Sequence, residues 1–372
     1  MIHLKEVTNY KDLKTFIYLP YKIHKNHQEW LPPLLSDEYK IFDQKKNHSF
    51  SNCDTIMYLA FKNNEVVGRV MGIINHIYNK VHAEENVRFF ALECFDDAEV
   101  FDKLIKAIES WGKEHQMKNI VGPLGFSDKD PQGFLIKGFE DPVTVMVTNC
   151  SYPYMITHTE RNGYVKKIDL FQYRILLESK TPDIYKKVAQ RAKDRGYKIL
   201  EFTKTKNIKL YIKPIFDLIN ESYADIYGFA PLKDKEVKEF TQRFLPLLNP
   251  NFIKVVIDKE KNVVAFVAAM PNISKGLKKA NGRLLPFGFL HIIKALKQTK
   301  QLDMLLGCVK EDCRYFGIDA LMAVAIFDSA RKAKLTHIDS HLTMEENIKM
   351  RATYERMNHT VYKKYRIFEK TL

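Results

Sequence analysis

The chain has no cysteine pair at the spacing a metal knuckle or a redox motif requires. Its five cysteines, Cys53, Cys94, Cys150, Cys308 and Cys313, are odd in number and scattered. That pattern excludes a disulfide framework and predicts a reducing compartment. No apolar run reaches the length of a membrane span, which argues against stable membrane insertion. The opening residues MIHLKEVTNYKDLK put charges and Asn where a signal peptide needs an apolar core. A cytoplasmic protein is therefore expected. There is no low-complexity tract, no Walker loop and no Ser-His-Asp arrangement. Lys and Arg number 59 against 45 Asp and Glu, a net charge of +14. The surplus favours anionic partners such as phosphorylated cofactors, but it is dispersed rather than blocked, which argues against nucleic acid.

What the chain does have is length and internal repetition. Its 372 residues are long for one core and predict two domains. The segments 57–75 and 252–272 each read as apolar strand, polar turn and apolar strand. Val66-Val67 and Val263-Val264 are 197 residues apart, as are Asn75 and Asn272. Further on, ERNGYVKKIDLF (160–171) is similar to ERMNHTVYKKYRIF (355–368), with Lys166-Lys167 and Lys363-Lys364 at the same offset. Two distant segments sharing one spacing indicate a tandem duplication. ESKTPD (178–183) holds a Pro and a candidate helix cap, so the domains are expected at 1–178 and 179–372. Each half alternates strands and helices, which predicts an α/β (α+β) fold with a mixed, mostly antiparallel sheet flanked by helices.

The stretch VKEDCRYFGIDALM (309–322) reads as a strand end, a turn and a helix start. Gly317 in that turn lets the backbone approach a ligand, and the amides of Gly317, Ile318 and Asp319 would open the helix toward an anion, with Arg314 adding charge. The alternative is a plain strand-to-helix turn in which Gly only relieves strain.

This stretch resembles the pyrophosphate-binding signature of the GNAT superfamily of acyl-CoA-dependent N-acyltransferases, Gln/Arg-x-x-Gly-x-Gly/Ala. Arg314-Tyr315-Phe316-Gly317-Ile318-Asp319 covers it, with Arg314 and Gly317 at the first and fourth positions. Asp319 departs at the sixth, where a small residue is usual. The segment 343–370 resembles the following GNAT helix and strands. A Thr343/Glu346 capping box is expected to start that helix near Met344. The resemblance implies that Asn347 binds the pantetheine arm and that Tyr354 protonates the leaving thiolate. It also implies that Leu306, Gly307, Cys308 and Val309 contact acetyl-CoA or another acyl-CoA through their backbone. The whole chain resembles a widespread bacterial family of tandem GNAT proteins through WLPPLLSDE (30–38), NCSYPYMITHTERNGYVKKIDL (149–170) and IYGFAPL (226–232). Aligning Cys94 with Cys308 puts FDDAEVF (95–101), with Asp96, Asp97 and Glu99, at the first half's phosphate turn. Three carboxylates oppose a phosphate there, so one active site per chain is expected.

The implied reaction is attack of an amine, on a small molecule or a peptide, on the thioester. It needs a base. In HIDSHL (337–342), His337, Asp339 and His341 would share one face of a strand, so His341 or His337 is a candidate base. The same residues could hold a metal or form a polar strand face. Glu221, Asp225 and Tyr227 are rival acceptor-site residues. LLPFGFLHIIKALKQTK (284–300) reads as a basic amphipathic helix on a membrane, or as a lid. Two other readings stay open: a Fem-type aminoacyl transferase that uses tRNA, and a binding protein that kept the fold without catalysis.

Overall fold

Largely apolar runs on either side of polar turns fold 53–75 and 253–271 into the expected hairpins, their second strands buried along almost their whole length. The structure is a computed structural model that describes residues 1–141, 148–224, 226–229, 231–245 and 248–372. The first half contains β1 (Ile2–Glu6), α1 (Tyr10–Ile23), α2 (Leu35–Ile41), β2 (Cys53–Lys62), β3 (Glu65–Asn75), α3 (His76–His82) and β4 (Asn86–Cys94). It continues with α4 (Ala98–Glu114), β5 (Asn119–Gly122), β6 (Phe134–Lys137), α5 (Tyr154–Arg161) and β7 (Val165–Leu176). The second half begins with α6 (Asp183–Asp194), β8 (Lys198–Glu201), α7 (Thr205–Ile208), α8 (Ile212–Ser222) and α9 (Asp234–Phe244). The hairpin of β9 (Ile253–Ile257) and β10 (Val263–Pro271) follows, then α10 (Ser274–Ala280) and α11 (Gly288–Gln298). The chain ends with β11 (Gln301–Val309), α12 (Ile318–Lys332), β12 (His337–Asp339), β13 (Thr343–Met344), α13 (Ile348–Glu355) and β14 (His359–Thr371).

The strands of the described residues form one sheet, in the order β1-β2-β3-β4-β5-β14-β7-β12-β11-β10-β9-β8, with β6 on β14 and β13 on β7. Among the described residues only β4/β5 and β11/β12 are parallel. The closing strands are exchanged. β14, from the end of the chain, lies beside β5 of the first half, and β7 lies beside β12 of the second. The two meet along ten residue pairs from His359↔Ile175 to Glu369↔Val165, so the halves share a sheet that neither completes alone.

Helix α4 buries Val100, Phe101, Leu104, Ile105 and Ile108, spaced three and four apart, against β3 and β4. On the other face, α1 contributes Phe16, Ile17 and Leu19. In the second half α12 packs against α6, where Ala189 and Ala192 are buried. Opposite them α8 buries Ile215, Phe216, Leu218 and Ile219. Each such side chain contributes about 1.5–3 kcal/mol of transfer free energy.

Candidate active site

The parallel pair β11/β12 holds together only between Gln301–Asp303 and His337–Asp339. Beyond Asp339 the chain turns onto β7: Ser340 N donates to Tyr173 O at 2.8 Å, and Thr343 pairs with Phe171. Met304 to Val309 stay on β10 instead. The two strands splay, and Leu306, Gly307, Cys308 and Val309 are paired in the sheet on the β10 side alone.

The turn after β11 is open at its helix end. Gly317 is the N-cap of α12 with φ +84°, and no side chain caps the first amides. A Cβ at Gly317 would lie 2.7 Å from Val188 O on α6, so both the backbone angle and the contact require glycine. Arg314 is half-buried and pairs with the exposed Glu311 at 3.2 Å. Tyr315 is 82% exposed, whereas Phe316 stacks on Tyr197 with Arg195 over its ring. Ile318 is buried under the helix, and Asp319 is exposed in its first turn, where the helix dipole favours a carboxylate.

Three side chains gather at the splay. Tyr354 is buried, its ring 5.2 Å from that of Tyr173, and burial raises its phenol above the ordinary range. Tyr223, within electrostatic reach of Tyr354, donates its hydroxyl to Gly307 O at 3.0 Å and accepts from Gly307 N at 3.3 Å. It thus sits at the ladder position that an incoming amide would take. Burial lowers the pKa of His341, and Asp128 partly offsets that. Asp128 comes from the first half: its amide donates to Gly228 O at 3.1 Å, and its carboxylate is also near Tyr223. Glu221 is exposed at the end of α8. Tyr227 packs edge-on to Tyr78 of the first half, with its hydroxyl buried. Asp225 lies outside the described residues.

Several expectations need correction. The strand stops at Asp339, so His337 and His341 do not share a strand face. His337 is at the closed end, held by Gln301 Oε1 and Thr336 Oγ1 at 3.0 Å each. Asp339 is fully buried and accepts two bonds from Arg174 and one from Tyr362. Thr343 and Met344 form β13 rather than the start of a helix. The cap of α13 is Asn347, whose Oδ1 accepts from Met350 N at 3.1 Å, so that oxygen is already engaged. Pairing with β7 decided between strand and helix here.

Sequence reasoning missed Tyr223, Asp128 and Asp303. Asp303, at the apex of the splay, is buried, and burial raises its carboxyl well above the usual range despite bonds from Gln301 and Asn272. A lone acid in the apolar strand LDMLLGCV was the available signal for it. Asp128 had none, because it reaches the site from the other half.

In the first half the corresponding space is filled. β4 and β5 part after Arg88/Val121, but Leu124 N donates to Phe89 O at 3.0 Å and Tyr154 Oη donates to Cys94 O at 2.8 Å. Asp97 caps α4, accepting from Glu99 N and Val100 N and pairing with Lys62. Nearby lies a buried polar cluster. Arg69 and Glu93 pair across β3 and β4 at 2.8 Å, His24 Nε2 is 3.3 Å from Glu93, and His24 and His27 face each other through Nδ1 atoms 2.9 Å apart. Among the described residues no group of three or more His, Cys, Asp or Glu side chains is placed to hold a metal ion.

No family model matches the chain. It is 25% identical over 372 residues to Protein YghO of Escherichia coli K12, covering 98% of this chain and 94% of that one. It is 26% identical over 373 residues to the bacterial ceramide synthase of Caulobacter vibrioides, covering 97% of this chain and 95% of that one. Among solved structures, a tandem GNAT protein from the clavulanic acid biosynthesis pathway superposes with a TM-score of 0.57 at 9% identity, over 100% of this chain and 98% of that chain. The likeness extends over the whole of this chain, which thus has the fold of a tandem GNAT protein.

Proposed function

We propose that the protein is an acyl-CoA-dependent N-acyltransferase with one active site, at the splay between β11 and β12. The observation that carries this reading is a contrast between equivalent places in the two halves. After β11, a one-sided strand edge leads into a helix start left uncapped at Gly317. After β4, the same places are taken by Tyr154, Leu124 and the Asp97 carboxylate. Backbone amides at 317–319 and Arg314 suit the phosphates of the donor, and the edge of β11 from Leu306 to Val309, which no strand of the described residues covers and where the Tyr223 hydroxyl holds the place at Gly307, suits its amide-bearing arm.

The chemistry is direct attack. The amine nitrogen bonds to the thioester carbonyl carbon, the carbon–sulfur bond breaks, and one proton passes from nitrogen to the departing sulfur. Tyr354, kept protonated by burial, is suited to supply the sulfur's proton. His341, kept neutral by burial and steadied by Asp128, is suited to accept the ammonium proton. The Caulobacter relative is named for ceramide, the amide of a fatty acid with a long-chain amino alcohol. That name supports a long acyl chain and a lipid amine over acetyl transfer to a small polar acceptor. The test is a mass-spectrometric screen of the purified chain with acetyl- to palmitoyl-CoA and long-chain amino alcohols. Amide and free coenzyme A formed in equal amounts support the reading. Absence of amide with every donor and amine contradicts it.

A further inference from the structure

We propose that the hairpin of α10 and α11 is a peripheral docking surface for an anionic lipid bilayer. The segment from Ile273 to Lys300 contains Lys275, Lys278, Lys279, Arg283, Lys294, Lys297 and Lys300 and no Asp or Glu. It also carries an unusual density of exposed apolar side chains: Leu285 is 80% exposed, Phe287 71%, Leu290 51%, Ile293 45%, Phe289 42% and Leu296 40%. Phe289, Ile293 and Leu296 are spaced four and three apart and so line one stripe of α11. Ala295, on the opposite side, is the buried residue of that helix.

The inner face is well anchored, so the outer face is displayed rather than left over. A Cβ at Gly276 would lie 2.5 Å from His291 O, which shows how closely α10 and α11 approach. The hairpin is tied to the first half by Leu35 N donating to Gly282 O at 2.9 Å, by Lys278 bonding to Gln28 O, and by Arg283 over the Tyr18 ring. Lys275, Lys279, Lys294 and Lys297 are exposed and have no carboxylate partner among the described residues.

An apolar stripe ringed by unpaired cations and free of acids fits an anionic headgroup layer, where the rings insert and the ammonium groups stay among phosphates. Eleven residues span roughly 16 Å as a helix, too short to cross a bilayer, so the hairpin would lie in its plane. Among the described residues no helix is long and apolar enough to cross a membrane. This surface does not depend on the acyl-transfer reading, although a lipid substrate would be reached from it.

The experiment is co-sedimentation of the full chain with vesicles of phosphatidylglycerol and phosphatidylcholine, against phosphatidylcholine alone, with neither donor nor amine present. Binding to the anionic vesicles is expected to be roughly tenfold tighter or more and to weaken between ~0.1 M and ~0.5 M salt. Two variants are compared, Leu285→Ser with Phe287→Ser and Ile293→Ser, and Lys279→Gln with Lys294→Gln and Lys297→Gln. Each should lower binding roughly tenfold with its thermal melt unchanged. No binding to anionic vesicles, or binding by either variant as tight as that of wild type, overturns the proposal. So does a wild-type dimer that the apolar variant dissociates, which would assign the face to a second copy of the chain. Because no substrate enters the assay, its failure would leave the transferase reading intact.

Discussion

Asp169 and Arg366 are 197 residues apart, the spacing that relates the two halves, and they face each other across β7 and β14. Arg366 Nε and Nη2 donate to the two carboxylate oxygens at 2.7 and 3.1 Å. Positions separated by the repeat spacing thus meet across the sheet, carrying opposite charges. Burial alone would raise the Asp169 carboxyl, but Arg366 and Lys364 hold it below the usual range. Asp169→Asn should lower stability by on the order of 2 kcal/mol, less than a fully buried pair, because the cations left behind are partly exposed. The wild-type advantage is complete above the unfolded value of about 4 and is lost as pH falls through the lower folded value. Urea denaturation of both proteins at several pH values should therefore show a shallower acid decline in the variant.

The exchanged strands make the halves interdependent. A fragment of residues 1–178 keeps β7 but lacks β14, leaving β5 without its neighbour, and 179–372 lacks β7 beside β12. Neither fragment alone should give a cooperative thermal transition, while co-expression should yield a folded complex. A monomeric, cooperatively melting 1–178 fragment would contradict this.

Much of this was legible because hairpins and repeats are local patterns. The apolar strands flanking polar turns around Val66 and Val263 and the matching Lys pairs pointed to an α/β fold with two similar halves, and Arg314 with Gly317 marked the turn. Strand exchange was not legible, because β7 and β14 have nearly the same sequence pattern and pairing partners leave no local trace. Asp128 and His341 come together only through that long-range arrangement. His337 and Asn347 misled for the opposite reason: local pattern suggested chemistry where Gln301 and the α13 cap had already engaged them.

Burial beside His24 pushes His27 down to about 4, against an unfolded value near ~6.5. Below ~6.5 the unfolded chain takes up a proton that the folded chain resists, so stability should fall as pH drops toward 4. His27→Gln should remove that component, on the order of 3 kcal/mol across the window. Denaturation midpoints of both proteins between pH 7 and pH 4 check it; parallel slopes would contradict it.

At the splay, Tyr354→Phe should lower kcat roughly 100-fold while leaving donor affinity unchanged. His341→Gln should remove the acid limb of the kcat/KM profile, which burial sets below the ordinary histidine value of ~6.5. Steady-state kinetics from pH 5 to pH 9 separate the two roles.

The most direct test of the central claim is calorimetric titration of coenzyme A and palmitoyl-CoA into wild type, Arg314→Ala and Asp97→Asn, the last at the N-cap of α4, the place Gly317 takes on α12. Loss of one charge-assisted phosphate contact should weaken binding roughly tenfold or more in Arg314→Ala, with Asp97→Asn matching wild type. Binding unaffected by Arg314→Ala would contradict the account, and binding lost only in Asp97→Asn would place the donor in the other half.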